Sequence, residues 1–193
     1  MSNIIRYVPI ALIAGYFIWA NFSGSSEDDL DLNQVLDITV ETIYAFEEKH
    51  PELVGSEETS DNSAFVQFSE DLAVNYNAAT PAIYEGQIGV IPQRDASLLA
   101  FVDADTNGNF DEGENALYMI EVDGENSRVI ATSRSGAVND SRISGTGLLT
   151  GMLIGSMLSR QRASGANPAS KKTQTAKQAA RSRAGSGSHS RGK

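Results

Sequence analysis

The chain contains no cysteine. That excludes disulfides, thiolate-held zinc, iron–sulfur clusters and a thiol nucleophile, and it fixes no compartment. Histidine is nearly absent: His50 and His189 are the two, far apart and in unlike surroundings. A histidine-built metal centre or a Ser-His-Asp triad is not expected. Serine and threonine are plentiful, but no histidine is placed to activate them. Paired acids such as Glu57-Glu58 and Glu70-Asp71 sit in polar stretches and read as solvated surface. The expectation is a protein that is not an enzyme and has no small-molecule substrate.

Each part of the chain also lacks charge of one sign. All 25 acidic residues lie between Glu27 and Asp140, and after Ile143 there are nine basic residues and no acidic one. Between Ser23 and Arg142 the basic residues are Lys49, Arg94, Arg128, Arg134 and Arg142, which leaves that part at −20. Such asymmetry concerns partners rather than fold. The acidic part should attract cations and repel nucleic acid and anionic lipid, and the tail should do the reverse. The 193 residues allow one ordinary domain plus tails.

One long apolar run opens the chain. Residues 4–22, "IIRYVPIALIAGYFIWANF", would rise roughly 28 Å as a helix, close to a bilayer core of about 30 Å. Arg6 can snorkel, and Tyr7, Trp19 and Phe22 suit the interfaces. Residues 1–22 are therefore expected to form a transmembrane anchor. The alternative is a cleaved leader with Ile18-Trp19-Ala20 as a weak cleavage site. Residues 23–31 read as an acidic linker.

The fold class expected for residues 32–142 is α+β, one amphipathic helix plus a small, mostly antiparallel sheet. Leu32, Val35, Leu36, Val40 and Ile43, joined by Tyr44 or Phe46, recur at helical spacing. Asp31 or Asn33 would cap that helix and Pro51 would end it, leaving His50 as a helix-end residue near the negative pole. "AFVQF" (64–68), "AIYEGQIGVI" (82–91), "SLLAFVDA" (97–104), "NALYMIEV" (115–122) and "SRVIATS" (127–133) read as strands, with "NAATP" and "VDGENS" as turns.

Beyond the domain, residues 143–159 form a glycine-zipper hydrophobic segment. Gly147, Gly151, Gly155 and Ser159 recur every four residues, a stripe that lets helix backbones approach closely, with Ala11 and Gly15 of the first run as natural partners. Ile143 to Leu158 would rise roughly 24 Å, short of a full span, so a re-entrant or interfacial segment and a flexible linker remain open beside a second membrane helix. Residues 160–193 have almost no large apolar side chains and are expected to be a disordered basic tail. Arg160, Arg162, Lys171 and Lys172 would meet anionic lipid. A nucleic-acid arm lacks the aromatic interleaving that would support it. Together these pieces suggest the cell (inner) membrane, both termini cytoplasmic and the acidic domain outside, with membrane lipid and a second copy or another membrane protein as partners.

The densest chemistry is "DADTNGNFDEGE", Asp103 to Glu114. Calcium takes six to eight oxygens, which one tightly curled loop can supply. Asp103, Asp105 and Asn107 stand at positions 1, 3 and 5, Gly108 at the sharp turn of position 6, and Asn109 at position 7 with its carbonyl. Asp111 stands at position 9 and Glu114 at position 12, where both oxygens can close the shell. These twelve residues resemble an EF-hand loop at every ligand position. The resemblance implies calcium as the ligand and covers this loop alone. Phe110 at position 8, Gly113, the strand-like flanks and the lack of a second copy depart from that family. The expectation is an EF-hand-like loop set in a β-hairpin. The opposing view is a plain Asn107-Gly108 turn whose acids bond their own backbone.

Three roles are consistent with this reading: a calcium-stabilised structural or interaction module of a membrane assembly, a glycine-zipper pore-forming oligomer, and a secreted polyanion-binding protein with its leader removed.

Overall fold

The computed structural model describes residues 30–50, 63–143 and 152–185. The expected anchor with Ala11 and Gly15, most of the acidic linker, Gly147 and Gly151 lie outside the described residues. The architecture is α+β. Among the described residues there are four α-helices and one five-stranded antiparallel sheet with strand order β1-β2-β3-β4-β5. None of these helices is long and apolar enough to cross a membrane.

Helix α1 (Leu32–Lys49) begins where the sequence places it. The Asp31 carboxylate accepts from the amides of Asn33 at 2.9 Å and Gln34 at 3.4 Å, capping the first turn. Its buried stripe, Leu32, Val35, Leu36, Ile43 and Phe46, lies on one face.

Helix α2 (Ser63–Asn77) corrects the strand expected at 64–68. Over five residues Phe65, Val66 and Phe68 look like a strand. Over fifteen, the buried residues Phe65, Phe68, Leu72 and Tyr76 follow helical spacing, and Val66 is exposed. Thr39 and Tyr76 share a buried hydroxyl contact at 2.5 Å, and Asn75 donates to Thr42 at 2.8 Å, which ties α2 to α1.

The strands are β1 (Ile88–Pro92), β2 (Leu98–Val102), β3 (Ala116–Asp123), β4 (Arg128–Ser133) and β5 (Val138–Arg142). Of the expected strand at 82–91 only the second half forms, and β5 is one that the sequence reading did not foresee. Alternation along β3 sorts the sheet into two faces. Tyr118, Ile120 and Val122 point toward the helices, with the Tyr118 ring 5.6 Å from that of Tyr76. Glu121 and Asp123 point the other way. At β1, Gly89 is a close-approach position: a Cβ there would fall 2.3 Å from the Phe101 ring of the neighbouring strand. The Asn77 side chain exchanges both hydrogen bonds with the backbone of Ile88, covering part of that free edge.

Asp123 organises the β3–β4 turn. It is fully buried and accepts from the amides of Glu125 and Asn126, the Asn126 side chain, and Arg128 Nε at 2.7 Å. Arg128 also lies 3.6 Å from Asp140 on β5. Burial pushes the Asp123 carboxyl up, but the hydrogen bonds from Asn126 and Arg128 outweigh it and hold it below the usual aspartate value.

The C-terminal part departs most from expectation. Helix α3 (Met152–Ser164) buries Leu153, Ile154 and Met157 in the same core as α1 and α2, and Ile143 is buried there too. The described half of the expected membrane segment is therefore packed on the domain. Gly155 and Ser159 face outward. The next residues also hold regular structure, against the expected disorder. A 3-10 turn (Pro168–Ser170) leads to a single bridge between Gln174 and Val138 of β5, and then to helix α4 (Ala176–Gly185). Polar contacts here replace the large apolar side chains that the composition lacks.

Gly89→Ala should lower stability by about 1–3 kcal/mol through overpacking against Phe101. Gly155→Ala meets open space, so it should raise stability by up to about 1 kcal/mol. Urea melts of both variants check this, and a destabilising Gly155→Ala would show that the small-residue face is packed after all. Asp123→Asn should be less stable than the parent above about pH 4, where the parent carboxylate is charged. That gap should close as pH falls through the lowered folded value. Parallel melts across acid pH measure it, and a pH-independent gap would contradict the assignment.

Candidate metal centre

The loop between β2 and β3 carries the acidic motif, flanked by strands as the sequence suggests. Its geometry follows from where the acids find donors. Asp103, 5% exposed, accepts from the amide of Asn107 through Oδ1 and from that of Gly108 through Oδ2, each at 3.1 Å. That curls the chain back, and Gly108 takes the positive φ of +73° that the bend requires. The half-buried Glu114 closes the loop from its other end. Its Oε1 accepts from the amide of Ala104 at 2.9 Å, and its Oε2 from that of Asp111 at 3.0 Å. The backbone of Asp103 is fixed to Gln87, next to β1, by its own amide.

The structure thus brings Asp103, Asp105 and Glu114 together, with one carboxylate oxygen from each within 4.8 Å of the others, a spacing that could hold a metal ion. Asp111 is not part of that group. Its carboxylate accepts from the Asn107 side-chain nitrogen at 2.7 Å, and the same nitrogen donates to Asp105 at 2.8 Å. The Asn107 amide hydrogens therefore sit between two carboxylates, where they offset part of the mutual repulsion. Its Oδ1 accepts from the amide of Asn109 at 2.6 Å. No Lys or Arg occurs from Asp103 to Glu114.

Phe110, the departure at position 8, now has a reason. Its ring packs edge-on against Phe101, with centroids 5.3 Å apart, and anchors the loop to β2. The bulge in the β2–β3 register at Ala100/Phe101 lies beside this contact.

The other residues singled out from the sequence are not part of this centre. Arg160 lies with its guanidinium 5.7 Å from the centre of the Phe65 ring, and Arg162 and Lys172 are exposed. Lys171 pairs with Glu121 on β3. The charged network of Glu121, Asp123, Arg128, Asp140 and Lys171 was not found by sequence reading, because its members are up to 50 residues apart and no short motif joins them. Comparison of the chain with protein-family models, curated proteins and solved structures finds no match.

In calcium-free buffer, Asp103→Ala should cost about 1–3 kcal/mol, because two loop amides lose their acceptor. Asp105→Asn keeps an acceptor at an exposed position and should stay within about 0.5 kcal/mol of the parent. Urea melts in chelator test the contrast, and equal losses would mean that Asp103 does not organise the turn.

Proposed function

We propose that the chain is a membrane-anchored, calcium-binding structural or interaction module, in which the ion stiffens the β2–β3 hairpin loop. The carrying observation is the gathering of Asp103, Asp105 and Glu114 on a loop with no basic residue of its own. Three close carboxylates repel one another unless positive charge lies among them. Calcium suits a donor set made of oxygens on a loop that can adjust, whereas magnesium demands a rigid octahedron. In the loaded loop, the Asn107 amide would turn so that Oδ1 faces the ion, and the Asn109 carbonyl and Asp111 would complete an EF-hand-like shell. Affinity belongs to the weak class, about 10⁻⁴ to 10⁻³ M, because a single hairpin braces the loop.

The membrane part of the reading rests on the apolar run at residues 4–22. With α3 and α4 packed on the domain, one N-terminal anchor serves, with the domain and the tail on the same side of the bilayer. The role assigned to calcium is structural, since among the described residues no Ser-His or comparable nucleophile–base pair adjoins the loop.

Calcium at about ten times its dissociation constant should raise the melting temperature of the full chain in detergent by several degrees, and chelator should reverse this. Glu114→Gln should lose most of the gain. If neither calcium nor chelator shifts the parent's melt, the loop is only a turn.

A further inference from the structure

We infer that residues 165–185 form a releasable clasp over the sheet, and that the surface competing for it is an anionic lipid headgroup layer. The clasp crosses the face of the sheet turned away from α1 and α2. Lys171 Nζ pairs with the Glu121 carboxylate and lies 3.5 Å from Thr132 Oγ1. Arg128 Nη2 donates to the Lys171 carbonyl at 2.8 Å. Gln174 exchanges two backbone hydrogen bonds with Val138, both 2.8 Å, and so covers part of the outer edge of β5. The Gln174 side chain donates to the Gly136 carbonyl at 3.1 Å, and Arg183 reaches the Ser135 carbonyl at 3.4 Å.

Nearly all of this is polar. Among the described clasp residues, the buried apolar side chains are those of Pro168 and Ala179, both small. Such an element brings little apolar side chain of its own to the sheet, although the fully buried Ile130 shares that face, and its central ion pair is open to exchange. A phosphate-bearing headgroup can take the place of Glu121 beside Lys171, as a charge-assisted partner of the same sign and hydrogen-bonding type.

The partner follows from what the clasp shows to solvent. Lys172, Lys177, Arg181 and Arg183 are exposed, and no acid lies anywhere after Asp140. A layer of anionic headgroups binds such a row additively, within a Debye length. A single-stranded nucleic acid would want aromatic residues to stack on its bases, and residues 160–193 contain no Phe, Tyr or Trp. The inference rests on the membrane part of the proposed function and is independent of its calcium part. Release uncovers the backbone groups of Val138 on the β5 edge, a place where another strand can pair.

The test is hydrogen–deuterium exchange of the full chain in vesicles of phosphatidylcholine and in vesicles of phosphatidylcholine and phosphatidylserine in equal parts. The readout is protection of the Val138 and Gln174 amides. Protection should fall at least about tenfold in the mixed vesicles alone, and high salt should restore it. Lys171→Ala should lower protection even in phosphatidylcholine. The triple change Lys172→Glu, Lys177→Glu and Arg181→Glu alters only exposed positions. It should keep protection in phosphatidylcholine and remain protected in the mixed vesicles. Equal protection of the parent chain in both vesicles would overturn the inference. So would an equal loss caused by a short RNA in phosphatidylcholine, which would assign the clasp to a different polyanion. Failure to associate with phosphatidylcholine at all would count against the anchor and is read separately, by flotation.

Discussion

Strand β3 carries a cluster of carboxylates at each end, and the rest of the structure is arranged around keeping them there. Asp103, Asp105 and Glu114 gather just before it. Glu121 and Asp123 stand on its last residues, with Asp140 across the sheet. The two ends are neutralised differently. At the β3–β4 end the chain supplies its own cations: Arg128 lies between Asp123 and Asp140, and Lys171 returns from far along the chain to Glu121. At the β2–β3 end the donors are backbone amides and the side chain of Asn107, none of which carries a charge. A loop whose partners are dipoles alone is the place where a mobile cation gains most, which is the physical basis for the calcium proposal.

The same constraint makes the C-terminal region part of the fold. Its composition offers no large apolar side chain after α3 with which to build a core. It offers positive charge and backbone hydrogen-bonding groups, and the acidic sheet face and the outer edge of β5 take both. The attachment is therefore mostly polar, unlike the packing of α1 and α2, which depends on Phe65, Phe68, Leu72 and Tyr76.

Local signals were legible in the sequence. The cap at Asp31, the stripe of α1, three of the strands, the Asp123 turn and the sharp bend at Gly108 are each decided within a few residues, by capping, periodicity or backbone geometry. The twelve-residue spacing gave the ligand candidates, and Asp103, Asp105 and Glu114 do converge. Asp111 does not join them, although like Asp105 it accepts from the Asn107 side chain, and spacing alone does not say which acids close in. Ala64 to Phe68 alone look like a strand, and only the nine helix residues that follow reveal the helical period. Strand β5, "VNDSR", has no hydrophobic alternation and exists because β4 offers it an edge. The glycines after Ile143 suggested lipid, yet Leu153, Ile154 and Met157 form a stripe that a sheet domain buries equally well. Helical periodicity says which face is apolar and leaves open what covers it.

The most direct measurement is a crystal structure of the chain grown in calcium, with anomalous data collected to identify the ion. The account predicts one calcium ion in the β2–β3 loop, with oxygens of Asp103, Asp105 and Glu114 at about 2.3–2.6 Å and the Asn107 amide turned to present its oxygen. An empty loop at saturating calcium, with Asn107 still donating to Asp105 and Asp111, would contradict it.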